Sequence, residues 1–303
     1  MTLLYLSTAE RAAVWSPIFA EAGERMVIGE DAVADPAEIT HIACWIPPDD
    51  LSRYSNLQAV IGIGAGIDQM PPMPGGVALS RTIAPGIAEM VRDWVVMAAL
   101  MLHREMPLYL EQAGRGEWHA RPARPAHRCR IGIMGMGQIG RLAAQSLAAL
   151  GFPVVGWSRS GSPVEGIEVH GAAALDEFLA RTELLICLLP LTGATRGLLN
   201  ARLLAKLPRG AGLIHAGRGA QLEMESLRDA LDSGQIGAAM LDVTDPEPLP
   251  AEHWAWRHPQ VIVTPHIASY TDAEEGARHA LSVIRACRAG QPIPGLVDRD
   301  RGY

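Results

Sequence analysis

Gly135-Met136-Gly137-Gln138-Ile139-Gly140 stands directly after the apolar run Ile131 to Met134 and opens an amphipathic stretch, Gln138 to Leu150. In a strand-turn-helix unit the first glycine of G-x-G-x-x-G permits the tight turn. The second lets a pyrophosphate approach the backbone, and the third lets helix and strand pack closely. Free N–H groups and the dipole at the helix start favour that anion. Gly135, Gly137, Gln138, Ile139 and Gly140 are therefore candidate dinucleotide-binding residues. The pattern alone is weak; the strand before it, the helix after it and a further strand ending at Trp157 make it specific.

The surrounding chain keeps the same rhythm. Ile131 to Met134, Val154 to Trp157, Leu184 to Leu189, Gly212 to His215, Ala238 to Val243 and Val261 to Thr264 read as strands. Gln138 to Leu150, Leu198 to Leu207 and Met224 to Ser233 read as helices between them. That alternation predicts an α/β doubly wound sheet. In the first hundred residues Leu3 to Leu6, Ile42 to Ile46, Ala59 to Ile63 and Val77 to Leu79 look like strands, their continuous apolar runs suiting parallel strands covered on both faces. From Gly86 to Leu102 apolar residues recur at helical spacing, predicting a long helix that leads from one domain to the next. Asp272 to Ala289 reads as a last helix. A length of 303 residues suits two domains, expected as 1–98 with 270–303, and 99–269.

Composition narrows the function classes. A hydrophobic content of 49% supports buried cores, and a net charge of −7 disfavours general affinity for nucleic acid or an anionic membrane. The Arg-rich stretch between His103 and Arg130 has little aromatic residue beyond Trp118 and is expected to be a solvated linker or subunit-contact segment. Apolar runs all fall short of the roughly 18 residues a membrane helix needs. Met1 to Ser7 lacks a basic segment before its apolar stretch and is expected to be the first strand of a cytoplasmic protein. Cys44, Cys129, Cys187 and Cys287 show no C-x-x-C spacing, so neither a disulfide framework nor a zinc site follows. His253 and His258 flank two tryptophans without metal-ligand spacing, and no metal is expected.

An NAD site usually carries Asp or Glu about 20 residues beyond the glycines, to hold the ribose 2′-hydroxyl. After Val154-Val155-Gly156-Trp157 this chain has Ser158-Arg159-Ser160. A carboxylate would repel a 2′-phosphate, whereas a guanidinium pairs with it bidentately and two hydroxyls add donors. NADP(H) is the expected cofactor, with NAD(H) the competing one.

Three later strands end in polar residues: Leu213-Ile214-His215-Ala216-Gly217-Arg218-Gly219, Leu241-Asp242-Val243-Thr244-Asp245-Pro246-Glu247-Pro248 and Thr264-Pro265-His266. Ligands of doubly wound sheets bind outside the carboxyl ends of strands, so the convergence points to a site. In order and context these segments resemble the D-isomer-specific 2-hydroxyacid dehydrogenase family, and Gly64-Ala65-Gly66-Ile67-Asp68 extends the likeness to the first half. That loop, Trp157-Ser158-Arg159-Ser160 and the ending Val297-Asp298-Arg299-Asp300-Arg301-Gly302-Tyr303 look most like its glyoxylate/hydroxypyruvate reductase A branch. His215 departs from the family's usual Asn.

The resemblance implies a Rossmann cofactor domain inserted into a flavodoxin-like substrate domain and a homodimer; charge and the short apolar runs lead us to expect no nucleic-acid or membrane partner. It implies NADPH-dependent reduction of a small 2-keto acid, glyoxylate or hydroxypyruvate, to the D-2-hydroxy acid. His266 would donate the proton as general acid, with Glu247 beside it favouring its charged form. Arg218, permanently cationic, would grip the substrate carboxylate and polarise the carbonyl. On the same analogy the N–H groups of Ala65 and Gly66 hold the carboxylate, Asp242 orients the nicotinamide amide, and Pro190, Leu191 and Thr192 line the cofactor cleft. Trp45, beside Pro47-Pro48, borders the substrate pocket or packs in a core. Two alternatives share these residues: a dehydrogenase for another D-2-hydroxy acid, and a cofactor-sensing, corepressor-like binding protein.

Overall fold

A computed structural model describes residues 1–298, so Arg299 to Tyr303 of the family-like ending lie outside the described residues. In chain order the strands are β1 (Thr2–Leu6), β2 (Arg25–Ile28), β3 (Ile39–Cys44), β4 (Ala59–Gly62), β5 (Ala78–Arg81), β6 (Ile131–Met134), β7 (Val154–Trp157), β8 (Glu168–His170), β9 (Leu184–Cys187), β10 (Ala211–His215), β11 (Ile236–Leu241) and β12 (Val261–Val263). The helices are α1 (Ala9–Glu21), α2 (Pro85–His103), α3 (Met106–Arg115), α4 (Gln138–Ala149), α5 (Leu175–Ala180), α6 (Ala201–Leu204), α7 (Met224–Asp232) and α8 (Ala273–Ala289). Among the described residues no helix is long and apolar enough to cross a membrane.

Two compact units emerge, Met1–Ile87 with Tyr270 onward, and Ala88–Ser269. The division falls early in α2, before the expected boundary after residue 98. The first unit holds a parallel five-stranded sheet, β2-β1-β3-β4-β5, the flavodoxin-like order. Alternate residues of β1 serve its two faces: Leu3 and Tyr5 pack with Trp15 and Phe19 of α1 and Ile284 of α8, while Leu4 packs with Ile42, Tyr54 and Val60. Burial on both faces is why these strands read as unbroken apolar runs.

The second unit holds a parallel seven-stranded sheet, β12-β11-β10-β9-β6-β7-β8. Its order reverses between β6 and β9, the switch point of a Rossmann sheet. Val91, Trp94 and Val95 of α2 and Ala143, Ala144 and Leu147 of α4 cover one face through Ile131, Ile133 and Ile186. Leu203, Leu227 and Leu231 cover the other through Leu185, Leu213 and Leu241.

Some elements differ from the sequence reading. The stretch between His103 and Arg130 is not irregular throughout, because α3 forms there, with Pro107 in its first turn and Gly116 closing it at φ 67°. A first-turn proline loses no helical bond, so it opens the helix instead of breaking it. Of the helix expected over Leu198 to Leu207 only α6 is α-helical, started by Asn200, whose side chain accepts from Leu203 N–H at 3.1 Å. The short strands β2 and β8 carry no long apolar run and were not visible in the pattern.

Candidate active site

The loops after β10, β11 and β12, three neighbouring strands, carry Arg218, Glu247 and His266. His266 Nδ1 lies 2.8 Å from Glu247 Oε2. The other oxygen of Glu247 accepts the N–H of Thr244 at 2.9 Å, so the carboxylate is oriented from both sides. Imidazole and carboxylate remain about two-fifths exposed, at 40% and 38%, open to a ligand. The Arg218 loop reaches the same place because Gly219 has no side chain: a Cβ there would lie 1.9 Å from the Thr244 carbonyl oxygen. Arg218 itself is half-buried, and Nη1 donates to the Gly217 carbonyl at 2.7 Å.

Asp242 directly follows β11 and is buried, and its carboxylate is drawn toward the His266 turn. Oδ1 accepts from Thr264 Oγ1 at 2.6 Å and Ile267 N–H at 2.9 Å, and Oδ2 accepts from Ala268 N–H at 2.8 Å. The Asp242 carbonyl also accepts the N–H of His266 at 2.8 Å. Sequence reasoning attached Asp242 to a nicotinamide amide; its structural work on this turn could not be read from spacing.

The glycine turn fits a dinucleotide on the structure's own terms. A Cβ on Gly140 would meet the Gly135 carbonyl oxygen at 1.8 Å, while one on Gly137 would meet nothing within 4 Å. The first observation shows turn and helix in tight contact; the second shows open space beside the start of α4. No side chain caps that helix start, leaving its first N–H groups to an anion. Gln138 and Ile139 form its first turn. At the end of β7, Arg159 and Ser160 are exposed and Ser158 is half-buried, its Oγ accepting from Gly161 N–H at 3.2 Å. Ser160 Oγ lies 2.7 Å from Ser162 Oγ. Beyond β9, Thr195 Oγ1 donates to the Pro190 carbonyl at 2.7 Å and accepts from Thr192 N–H at 2.8 Å, shaping the Pro190-Leu191-Thr192 turn.

In the first unit Trp45 follows β3 and Ala65 and Gly66 follow β4. Trp45 is 48% exposed, which separates it from the core. Its ring lies against Gly64, where a Cβ would come within 2.9 Å of it. Gln69, which sequence reasoning passed over, donates to the Trp45 carbonyl at 3.1 Å and joins the two loops. The N–H groups of Ala65 and Gly66 meet no backbone acceptor among the described residues.

Other groups stand apart from this chemistry. Burial pushes the thiols of Cys44 and Cys187 up to about 12, so both remain thiols. His253 Nδ1 accepts from Ala255 N–H at 3.3 Å, and His258 Nε2 lies 3.5 Å from Asp232. Among the described residues no three His, Cys, Asp or Glu side chains gather as a metal site. A cavity of about 480 Å³ opens at the amino ends of β9 to β11, lined by Glu105, Arg121, Arg124 and Glu183, at the opposite strand ends from His266.

Residues 96–268 match a family model described as D-isomer specific 2-hydroxyacid dehydrogenase, NAD binding domain. Glyoxylate/hydroxypyruvate reductase A of Salmonella newport (strain SL254) is 35% identical over 312 residues, covering 100% of both chains. Among solved structures, a D-isomer specific 2-hydroxyacid dehydrogenase from Xanthobacter autotrophicus Py2, in complex with NADPH and MES, superposes with a TM-score of 0.92 at 36% identity, over 100% of this chain and 99% of that one. An NADPH-dependent glyoxylate/hydroxypyruvate reductase from Sinorhizobium meliloti, in complex with NADP and sulfate, gives 0.91 at 36% identity with the same coverage.

Proposed function

Because this chain belongs to the D-isomer specific 2-hydroxyacid dehydrogenase family, we propose that it reduces a small 2-keto acid, glyoxylate or hydroxypyruvate, to the D-2-hydroxy acid with NADPH. The observation that carries this reading is the His266 to Glu247 pair at 2.8 Å, placed at strand ends beside the Arg218 loop. The named relatives from Salmonella and Sinorhizobium support the substrate class and the cofactor.

Bound NADPH supplies the hydride for the carbonyl carbon. The residues of this chain do the rest. Glu247 accepts from Nδ1–H of His266, which leaves Nε2 as the nitrogen that delivers a proton to the carbonyl oxygen. Arg218 pairs with the carboxylate of the substrate, and its fixed charge draws electron density toward the carbonyl oxygen as it becomes an alkoxide. Gly135 to Gly140 receive the pyrophosphate, Ser158, Arg159 and Ser160 the 2′-phosphate, and Pro190, Leu191 and Thr192 the nicotinamide side. Asp242 retains one of the roughly four acceptor positions of a carboxylate for the nicotinamide amide, the other three being taken by its own chain. In the first unit Ala65 and Gly66 offer N–H groups to the carboxylate, and the exposed indole of Trp45 limits the C3 substituent. Residues 1–87 with 270–303 serve the substrate and 88–269 the cofactor. The proposal includes a cytoplasmic homodimer with neither nucleic-acid nor membrane partners, in keeping with a net charge of −7.

The test is a panel of 2-keto acids with NADPH and with NADH. Glyoxylate and hydroxypyruvate should turn over fastest, with kcat/KM at least about tenfold higher for NADPH, the scale of one desolvated charge contact. His266→Ala should lower kcat by roughly 10²- to 10⁴-fold. NADPH binding without turnover of any member would leave a cofactor-sensing protein instead, and an NADH preference would refute the role of Arg159.

A further inference from the structure

Both main-chain polar groups of Arg218 are held by buried side chains. Its N–H donates to Gln221 Oε1 at 2.8 Å, and its carbonyl accepts from His215 Nε2 at 2.9 Å. His215 and Gln221 have no exposed surface. Since Nε2 of His215 faces a carbonyl, it must carry a proton. Burial pushes this imidazole down to about 4, which keeps the ring neutral at pH 7.

Gln221 reaches further. Its Nε2 donates to the Leu189 carbonyl at 3.1 Å and the Pro190 carbonyl at 3.0 Å, so every polar position of the amide but one acceptor lone pair is engaged. Gly217 leaves the room, since a Cβ there would lie 2.3 Å from Gln221 Oε1 and 3.0 Å from the Leu189 carbonyl oxygen. A cap for the short 3-10 turn Gly219–Gln221 would need only the bond to Arg218 N–H. The two bonds to the turn beyond β9 do something else: they tie the arginine loop to the segment proposed to line the cofactor.

We infer that Gln221 is a positioning residue for this reaction, its buried carboxamide registering the Arg218 backbone against the Leu189 to Pro190 turn while His215 holds the opposite side of Arg218. The inference rests on the role proposed for Arg218. A guanidinium anchored at its backbone meets the substrate carboxylate at a set distance from the nicotinamide wall. An error of about 1 Å there is worth up to roughly 10²-fold in rate.

Gln221→Met keeps the length of the side chain and removes all three bonds. We would measure its fold by circular dichroism and thermal denaturation, its NADPH Kd by fluorescence, and the Kd of oxamate, an unreducible keto-acid mimic, for the NADPH complex. In the folded variant, oxamate Kd and the KM for glyoxylate should each rise about tenfold or more. In an Arg218→Ala background the same substitution should change oxamate Kd less than about twofold, because the group it positions is gone. Oxamate Kd within about twofold of wild type in folded Gln221→Met overturns the inference, as does an equal effect in both backgrounds. If Gln221→Met does not fold, Gln221→Asn, too short to span the two loops, is read by the same criteria. Unchanged oxamate affinity in Arg218→Ala alone instead overturns the role of Arg218. A raised Kd there with none in Gln221→Met overturns only the positioning role.

Discussion

His266 sits at φ 52°, in the left-handed region that a side chain with a Cβ rarely occupies. Such a residue costs on the order of 1–3 kcal/mol unless its surroundings hold it. Asp242 does the holding, through its carbonyl to His266 N–H and its carboxylate to Thr264, Ile267 and Ala268. Asp242→Asn would turn an amide N–H₂ toward a donor. It should lower the stability of the cofactor-free protein by roughly 2 kcal/mol as well as kcat. Denaturant unfolding without NADPH separates this role from contact with the nicotinamide; an unchanged midpoint would show that the turn stands without the carboxylate. The candidate acid, base partner and arginine were legible in the sequence because each follows an apolar strand in a distinctive context. Gln221 and Gln69 were not, since their partners are backbone groups, several of them in other segments, which leave no mark in side-chain spacing.

Among elements, the long apolar runs announced themselves, as did the short edge strands β5 and β12, whereas the edge strands β2 and β8 did not. β8, only Glu168–His170, lies at the sheet margin and is found by its pairing with β7. Loop packing was uneven in the same way. The G-x-G-x-x-G motif predicted the open space at Gly137, whereas no motif marked Gly219 as lying against the Thr244 carbonyl. Gly219→Ala forces two backbones apart, and we expect a loss of about 1–3 kcal/mol together with reduced kcat/KM. Gly137→Ala should change stability by no more than about 0.5 kcal/mol while weakening NADPH binding, because its methyl would occupy the space offered to the pyrophosphate. Chemical denaturation and NADPH titration of both variants check the pair, and a Gly137→Ala protein that binds NADPH normally would move the pyrophosphate elsewhere.

At the scale of the whole molecule each unit buries a neutral histidine, His41 in β3 and His215 in β10, with no exposed surface. Burial pushes both down to about 4 from an ordinary 6.5. Between these values the unfolded chain binds the proton and the folded one does not, so stability falls as pH drops through that window. Above pH 6.5 neither histidine contributes to the pH dependence. Each should cost on the order of 3 kcal/mol by pH 4. Urea unfolding between pH 7 and 4 checks the slope, and His41→Gln should make it shallower; equal slopes would place the acid sensitivity elsewhere.

What the chain determined by itself is local: an apolar run, a glycine turn and a helix start are neighbours in sequence, so their order alone predicts a nucleotide-binding unit. Strand ends were readable for the same reason. Tertiary structure decided which ends meet. Only the β12-β11-β10 order brings His266 to Glu247 and sets the Arg218 loop against Thr244. Hydrogen bonding and close contact act over about 3 Å in space, and a distance that short between segments far apart in the chain exists only after the sheet has formed.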